Sequence, residues 1–313
     1  MKSFIGQEKT EIDLKEFETF DYRDYLGKIG VNTFEFKKNL LHNLPPEAVI
    51  LKASGKAFAV LTKRIWDQDI LGFNTYSIDD IYIKRDLRDD YEVMDKLIKT
   101  ITDYSINNSI KLLTFRFSAG KMKYLQLFEK NGFITTDILS TFLFDKKSLS
   151  LKADDVNGIR PAAEKDHNEI LKISSDSFEF SRIYMDNNIP KSKADRFYFE
   201  LTKSILSDRD NLKLVIEKQN KIAGFVIGNK ANNINMFFEK KLGYLWLISV
   251  LKSFRGKNIA KALLNEFLIK FSEEVDYIEI STQIANVPAI NLYSSFGLHP
   301  VTYIITMHYW NKQ

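Results

Sequence analysis

The feature that most constrains the fold of this 313-residue chain is an internal sequence repeat. The segment Leu-Phe-Glu-Lys-Asn-Gly-Phe at 127–133 aligns with Leu-Tyr-Ser-Ser-Phe-Gly-Leu at 292–298, so that Gly132 falls on Gly297, 165 positions later. In both halves a predicted helix and a predicted strand precede the match in the same order and at nearly the same offset. The helices begin at Asp90 and at Gly256, and the strands are the run before Phe117 and the run 277–282. This pattern predicts two copies of one fold.

The spacing of apolar residues indicates the class of that fold. Apolar positions recur at helical spacing over 89–107 and over 258–272, and short β-rich runs alternate with such helices. This alternation favours an α+β fold, a sheet flanked by helices. The polar segment 145–157 has little to bury and is interpreted as a linker. We therefore predict two domains, at 1–150 and at 151–313.

The composition excludes several classes of protein. The chain has no cysteine, which rules out a disulfide framework and a cysteine nucleophile. Its four histidines lack the spacing of a helical metal site, so no metal is expected. A net charge of +4 without a basic arm predicts neither a nucleic-acid partner nor a membrane partner. Residues 1–10 lack a signal-like apolar stretch, and the expected location is cytoplasmic.

A basic loop lies between a predicted strand ending at Leu251 and the helix that follows it. Its sequence at 252–260 is Lys-Ser-Phe-Arg-Gly-Lys-Asn-Ile-Ala. A glycine at such a turn lets backbone N–H groups converge on an anion, and the helix N-terminus adds partial positive charge. Arg255 and Lys257 add full charges. On these residues alone, a phosphate-binding loop and an ordinary basic loop are both open interpretations.

Residues 255–260 resemble the Arg/Gln-x-x-Gly-x-Gly/Ala loop of the GNAT superfamily of N-acetyltransferases, which cradles the pyrophosphate of acetyl-CoA. Residues 286–298 resemble the Asn-x-x-Ala-x-x-Leu-Tyr-x-x-x-Gly-Phe motif of this family, and 159–161 resembles its usual Ile-Arg-Pro opening. The strand end at 248–251 is similar to the family's fourth strand, which splays from the fifth and pairs with the pantetheine arm. The resemblance covers 158–313 and implies a tandem GNAT-like acyl-CoA N-acyltransferase fold. It implies acetyl-CoA binding by Ser249, Val250, Leu251, Arg255, Gly256, Lys257, Asn258, Ile259, Ala260 and Asn286.

The two halves depart from the family pattern to different extents. In the second half the central loop glycine is replaced by Asn258, and Leu298 replaces the final phenylalanine of the second motif as a packing change. Asparagine tolerates a left-handed backbone better than most residues. In the first half the matching segment 84–91 has no glycine and carries three aspartates, which would repel a diphosphate. Phe128 also stands where the second half has Tyr293. We therefore expect 1–150 to be a degenerate copy that does not bind CoA and contributes to the acceptor site.

A narrower resemblance involves both halves. The segment Trp-Asp-Gln-Asp-Ile-Leu-Gly-Phe at 66–73 is similar to the Trp-Asp-x-x-Phe-Phe-Gly segment of bacterial dTDP-fucosamine acetyltransferases. Residues 181–186 and 194–198 resemble their Ser-Arg-Phe-Tyr-x-Asp and Ala-Asp-x-Leu-Tyr segments. Those enzymes acetylate the 4-amino group of a TDP-linked amino sugar, and the resemblance implies an acceptor of this kind. A core role for the aromatic residues of these segments is the alternative.

The resemblance also implies a mechanism, the direct transfer of acetyl inside a ternary complex. Backbone N–H groups near Ser249 and Val250 would polarise the thioester carbonyl. Tyr293 would protonate the departing thiolate as a general acid, with a packing tyrosine as the alternative.

Four residues are candidates for the acceptor side. The guanidinium of Arg182 matches the geometry of a substrate diphosphate, with a surface salt-bridge partner as the alternative, and Tyr184 belongs to the same segment. Asp79 and Asp80 are candidates for taking the proton of an acceptor ammonium, or are solvated acids at a strand end. Two other functions stay open, namely a GNAT enzyme for another small amine or a peptide N-terminus, and a non-catalytic GNAT-like binding module. The oligomeric state is left open.

Overall fold

The computed structural model describes residues 13–147, 158–175 and 177–312. The first half contains β1 (Phe17–Thr19), α1 (Thr33–His42), β2 (Val49–Ala53), β3 (Ala57–Lys63), α2 (Ile65–Leu71), β4 (Thr75–Lys84), α3 (Asp90–Asn107), β5 (Leu112–Ser118), α4 (Leu125–Lys130) and β6 (Phe133–Asp145). The second half contains β7 (Ile159–Pro161), α5 (His167–Ser175), α6 (Lys191–Ser207), β8 (Leu212–Lys218), β9 (Lys221–Lys230), α7 (Asn232–Asn235), β10 (Leu242–Val250), α8 (Ile259–Phe271), β11 (Tyr277–Gln283), α9 (Val287–Ser294) and β12 (Pro300–Trp310). Most of the predicted linker, 148–157, lies outside the described residues.

These elements form two compact units, and each unit includes most of the last strand of the other half of the sequence. One unit contains Met1–Gly27, Asn32–Thr136 and Ile304–Gln313, and the other contains Lys28–Val31 and Asp137–Tyr303. In the first unit, residues 304–310 of β12 pair with β5, and in the second unit residues 139–145 of β6 pair with β11. The units therefore differ from the predicted ranges 1–150 and 151–313, because pairing between strands distant in sequence leaves no local pattern.

The first unit contains a mixed sheet. β2, β3 and β4 are antiparallel, and β4 pairs in parallel with β5 over residues 75–78. Further along β4, residues 82–84 pair with β1 instead. Since β3 occupies the other edge of β4 over residues 76–83, β1 and β5 share one edge of that strand.

The second unit repeats this plan. β7, β8, β9 and β10 are antiparallel, and β10 pairs in parallel with β11 over residues 242–245. Apolar side chains of α8 and α9 cover one face of the sheet, and those of α5 and α6 cover the other. The repeat is thus present in the structure, because the series β2 to β6 with α3 and α4 recurs as β8 to β12 with α8 and α9. β5 and β11 occupy 112–118 and 277–283, which is the predicted offset of 165 residues.

Glycines of the second sheet allow α8 to approach closely. A Cβ atom on Gly224 would lie 2.8 Å from the Ser249 carbonyl oxygen and 3.0 Å from Leu263 Cδ1. A Cβ atom on Gly228 would overlap the ring of Phe267. Because only glycine leaves this space, the close contact fixes where the N-terminus of α8 lies.

Candidate active site

The parallel pair of β10 and β11 opens inside the second unit. Its ladder ends at Leu245 and Ile280, whereas β10 continues to Val250 and β11 to Gln283. A bulge between Leu245 and Leu247 lies where the two strands part. The splayed strand implied by the family resemblance is therefore present.

Two backbone amides of β10 face this opening. The Leu251 N–H donates to the Ala223 carbonyl oxygen at 2.9 Å, which identifies the residues of β10 that bond to β9. N–H groups alternate between the two edges of a strand, so those of Val250 and Ile248 point away from β9. Within the described residues, no strand pairs with that edge beyond Leu245. This edge therefore offers two donors to a ligand.

The loop after β10 has the backbone conformation of a tight anion-binding turn. Gly256 and Asn258 are both left-handed, with φ values of +75° and +59°. Asn258 is the N-cap residue of α8, and among the described residues its side chain makes no capping hydrogen bond. Asparagine therefore acts here through its backbone conformation, as predicted, and the first N–H groups of α8 remain open to a ligand.

A cavity of about 650 Å³ lies at this opening and is lined by residues of the second unit. This volume is in the range of small-molecule sites. The first residues of α8 and α9 both line the cavity, so two helix N-termini direct partial positive charge toward it. Eight of the ten residues expected to hold acetyl-CoA line it, namely Ser249, Val250, Arg255, Gly256, Asn258, Ile259, Ala260 and Asn286. Leu251 and Lys257 lie outside the described lining.

The basic side chains of the loop are held by backbone carbonyls. Arg255 Nε donates to the Val250 carbonyl oxygen at 3.1 Å, which keeps the guanidinium beside the open strand edge. Lys257 Nζ donates to the Ser253 carbonyl oxygen at 3.1 Å, in agreement with its position outside the lining. Asn286 has a local role as well, because its Oδ1 accepts the N–H of Ala289 and caps α9.

Tyr293 is buried in α9 next to the cavity. Its ring packs edge-on against Phe142, with 5.4 Å between centroids, while Leu292 and Ser295 line the cavity. Burial raises the pKa of the Tyr293 hydroxyl, so the phenol keeps its proton at neutral pH. This position is compatible with both interpretations of Tyr293, proton donor and packing residue.

A carboxylate that the sequence analysis missed lies at the vertex of the opening. Glu279 pairs with Tyr244 in the parallel ladder, one position before the last pair. Since Ile280 packs in the core with α8, alternation directs Glu279 and Ser281 to the opposite face of the sheet. The Ser281 hydroxyl lies 3.4 Å from Glu279 Oε1 and 2.8 Å from the Thr141 hydroxyl. The alternation of β11 is visible in the sequence, but its position beside the parting strands is not.

The same face carries an exposed tryptophan. Trp246 is 49% exposed, and its indole N–H donates to Asn229 Oδ1. Its ring meets that of Tyr244 edge-on, with 5.9 Å between centroids. These contacts hold a flat apolar surface at the bulge of β10, close to the point where the strands part.

In the first unit, the chain itself fills the equivalent edge. β1 pairs with β4 where β10 is left open, and the Phe20 N–H donates to the Ile81 carbonyl oxygen at 3.0 Å. The Phe20 ring is buried against Phe117 and Tyr124, with 6.2 Å and 5.1 Å between ring centroids. This arrangement gives a physical reason for the expectation that the first half does not bind CoA.

Asp80 belongs to a buried ion pair in the first unit. Its Oδ2 lies 2.5 Å from Lys37 Nζ, and its Oδ1 accepts the N–H groups of Phe20 and Ile81. Burial acts to lower the pKa of Lys37, but Asp80 and Asp21 together raise it above the usual value. Both oxygens of Asp80 are engaged, so the structure gives it a structural role rather than the predicted role toward an acceptor.

The other three acceptor-side candidates lie apart from the cavity lining. Asp79 is exposed on β4 of the first unit and accepts the Thr62 hydroxyl at 2.7 Å. In the second unit, Arg182 lies over an aromatic ring of α6 at 5.9 Å, and the Tyr184 hydroxyl donates to Asp195 at 2.6 Å. Their roles toward a substrate stay predictions.

Among the described residues, no group of three or more histidine, aspartate or glutamate side chains is placed to hold a metal ion. No described helix is both long enough and apolar enough to cross a membrane.

A mixed sheet that opens between parallel strands, with a left-handed loop and a helix N-terminus at the opening, defines the α+β acyltransferase fold. Residues 169–298 match the acetyltransferase (GNAT) family. The chain therefore contains a GNAT acetyltransferase domain, as the sequence resemblance implied.

The chain is also similar to individual proteins. The chain is 27% identical over 152 residues to the spore coat polysaccharide biosynthesis protein SpsD of Bacillus subtilis (strain 168), which covers 48% of this chain and 50% of that protein. It thus spans half the length of this curated relative. A GCN5-related N-acetyltransferase from Sphaerobacter thermophilus matches 95% of this chain and 96% of its own, with a TM-score of 0.57 and 17% identity. A tandem GNAT protein from the clavulanic acid biosynthesis pathway matches 94% and 98%, with a TM-score of 0.52 and 11% identity. These two structures share the fold.

Proposed function

We propose that this protein transfers acetyl from acetyl-CoA to a primary amine, in a single site of the second unit. The observation that carries this proposal is the open edge of β10, which ends in a left-handed loop beside a cavity with two helix N-termini. Strand-edge amides suit the amide-rich pantetheine arm, and the loop suits a pyrophosphate.

The residues present fit acetyl-CoA in size and charge. The amides of Ile248 and Val250 would pair with the pantetheine arm and the thioester oxygen. The N–H groups at the start of α8, with Arg255 beside them, would hold the diphosphate. The bound cosubstrate supplies the activated acetyl group, and the residues of the chain position it and move protons.

Two side chains would handle the protons. An acceptor ammonium gives one proton to Glu279, through Ser281 or water, and the amine nitrogen then forms a bond to the carbonyl carbon as the C–S bond breaks. The backbone N–H groups of Val250 and Ile248 stabilise the negative charge that develops on the carbonyl oxygen. Tyr293 gives its proton to the sulfur and regains one from the nitrogen. One proton in total passes to solvent through Glu279, which balances the reaction.

For the acceptor, we propose an amino sugar linked to a nucleotide. The segments at 66–73 and 181–186 support this choice, as does the similarity to a protein named for spore coat polysaccharide biosynthesis. Trp246 offers a flat apolar surface of the kind on which sugar rings stack. A contribution of 1–150 to the acceptor site stays a prediction.

The test is a CoA-release assay over TDP-amino sugars, polyamines, amino acids and peptides with a free N-terminus. We expect release with the 4-amino sugar nucleotides at the highest kcat/KM. A higher kcat/KM with a polyamine or a peptide would contradict the proposed acceptor and identify that amine class as the substrate. No release with any amine would contradict the enzyme and favour the binding module.

A further inference from the structure

A second cavity lies wholly within the first unit. It has a volume of about 490 Å³, which is again in the range of small-molecule sites. It is bordered by the chain from Leu14 to Gly27, by α1, and by the end of β4. None of its described lining residues belongs to the acetyl-CoA cavity of the second unit.

The cavity contains a rigid network of charges. Lys37 is nine-tenths buried, and its Nζ lies 2.6 Å from Asp21 and 2.5 Å from Asp80. Arg23 also contacts Asp21, at 3.4 Å. This network balances two cations with two carboxylates and is fixed before any ligand arrives.

The rim of the cavity differs from this network, because two of its cations have no ion-pair partner among the described residues. Lys15 and Arg85 both line the cavity and are exposed, and Arg85 Nε donates to the Lys15 carbonyl oxygen at 3.3 Å. Among the described residues, neither has a carboxylate within ion-pair distance. Three neighbouring acids have ion-pair partners, because Glu16 pairs with Lys84, Glu18 with Lys121 and Asp21 with Lys37. Asp24 also lines the cavity, where it accepts the Ser118 hydroxyl and keeps its charge.

Aromatic rings also line this cavity, and one of them lies beside Lys15. Phe34 lines the cavity, is only partly buried, and has Lys15 Nζ 5.7 Å from its ring centroid. Phe17 and Tyr82 line the cavity as well. A guanidinium and an ammonium on the rim of one cavity match a dianionic phosphate, and an accessible ring matches a planar group.

We infer that this cavity is a binding site for a phosphate monoester that carries a planar ring, the chemical class of nucleoside monophosphates. The phosphate contacts Lys15 and Arg85 at the rim, and the ring packs against Phe34. Two of the three aspartates in segment 84–91 do not oppose this phosphate, because Asp89 pairs with Lys56 and Asp90 with Lys123. Binding here does not depend on acetyl transfer in the second unit.

Isothermal titration of the full chain with thymidine, uridine and adenosine monophosphates tests this inference, with thymidine and inorganic phosphate as separate arms. We expect at least one monophosphate to bind, at least about tenfold more tightly than thymidine or phosphate, with affinity that falls as salt rises. The double variant Lys15→Gln/Arg85→Gln should weaken binding at least about tenfold. Phe34→Ala should reduce the preference for the nucleotide over inorganic phosphate.

The matched control is Lys52→Gln/Arg88→Gln, which removes the same charge from exposed positions outside the cavity lining. It should bind like the wild type, and both double variants should keep the wild-type melting temperature. The inference is overturned if no monophosphate binds at millimolar concentration, or if both double variants bind equally. Equal affinity for inorganic phosphate would overturn the role of the ring.

Discussion

At the scale of single residues, Tyr293 is the proposed proton donor to the departing thiolate. The variant Tyr293→Phe should lower kcat about 100-fold or more, because the thiolate loses its proton donor. The Kd for acetyl-CoA should stay within about twofold. Phenylalanine already occupies the matching position in the first unit, at Phe128, so the variant should fold. A CoA-release assay measures kcat, and calorimetry measures the Kd. An unchanged kcat would indicate that Tyr293 is a packing residue.

The raised pKa of Tyr293 predicts how kcat responds to pH. A phenol whose pKa lies above its usual value of about 10 keeps its proton throughout the neutral and mildly alkaline range. We therefore expect kcat to show no fall up to about pH 10 that depends on Tyr293. A falling limb below pH 9 that disappears in Tyr293→Phe would contradict this assignment.

Glu279 has its own signature in the pH profile. Glu279→Gln should lower kcat/KM about 100-fold at pH 7, because the acceptor ammonium loses its proton acceptor. The deficit should shrink as the pH approaches the pKa of the amine, since the free amine then needs no base. Glu273→Gln, an exposed residue after α8, is the matched control. A deficit that is constant with pH would indicate a structural role for Glu279.

Asn258 tests the backbone of the loop. An alanine with φ near +59° is strained, so Asn258→Ala should lower the free energy of unfolding by about 1 kcal/mol. Asn258→Gly should be at least as stable as the wild type, because glycine adopts this conformation without strain. Urea denaturation measures both variants. Equal stability of the alanine and glycine variants would show that the left-handed turn carries no strain.

At the scale of elements, α8 holds the loop at 252–258 in place through its close approach to the sheet. Gly224→Ala should destabilise the chain by about 1–3 kcal/mol, because the new Cβ meets Ser249 and Leu263. The start of α8 should shift with it, so acetyl-CoA binding should weaken too. Gly27→Ala, whose Cβ would meet atoms no closer than 3.7 Å, should stay within about 0.5 kcal/mol of the wild type. Equal melting temperatures for both variants would argue against tight packing of α8.

The elements were largely predictable because they depend on local periodicity. The helices expected at 89–107 and 258–272 occur as Asp90–Asn107 and Ile259–Phe271, and the strand expected at 277–282 occurs as Tyr277–Gln283. β1, at Phe17–Thr19, is only three residues long, and it exists through its pairing with β4. No pattern of its own could reveal it.

The residues that line the cavity were predictable where they follow one another along the chain, whereas contacts between strands were not. The loop at 252–260 is contiguous, and most of its residues that were expected to bind acetyl-CoA line one cavity. The importance of Glu279 depends on β10 parting from β11, and the burial of Asp80 depends on Lys37, which is 43 residues away. Such relations are set by tertiary pairing and leave no trace in local spacing.

At the scale of the whole molecule, the two copies of one sheet topology differ at one strand edge. In the second unit the edge of β10 is open beside a left-handed loop. In the first unit β1 and Phe20 occupy the equivalent edge of β4, and the matching loop carries three aspartates. We therefore propose that the chain has one acetyl-CoA site, and that this site uses the open edge of β10.

Calorimetric titration of the full chain with acetyl-CoA tests this claim most directly. We predict one site per chain, which Val250→Pro weakens at least about tenfold because it removes an open-edge N–H that bonds to no neighbouring strand. Val250→Ala keeps that N–H and should bind like the wild type. Two sites per chain, no binding, or equal affinities for the proline and alanine variants would contradict the account.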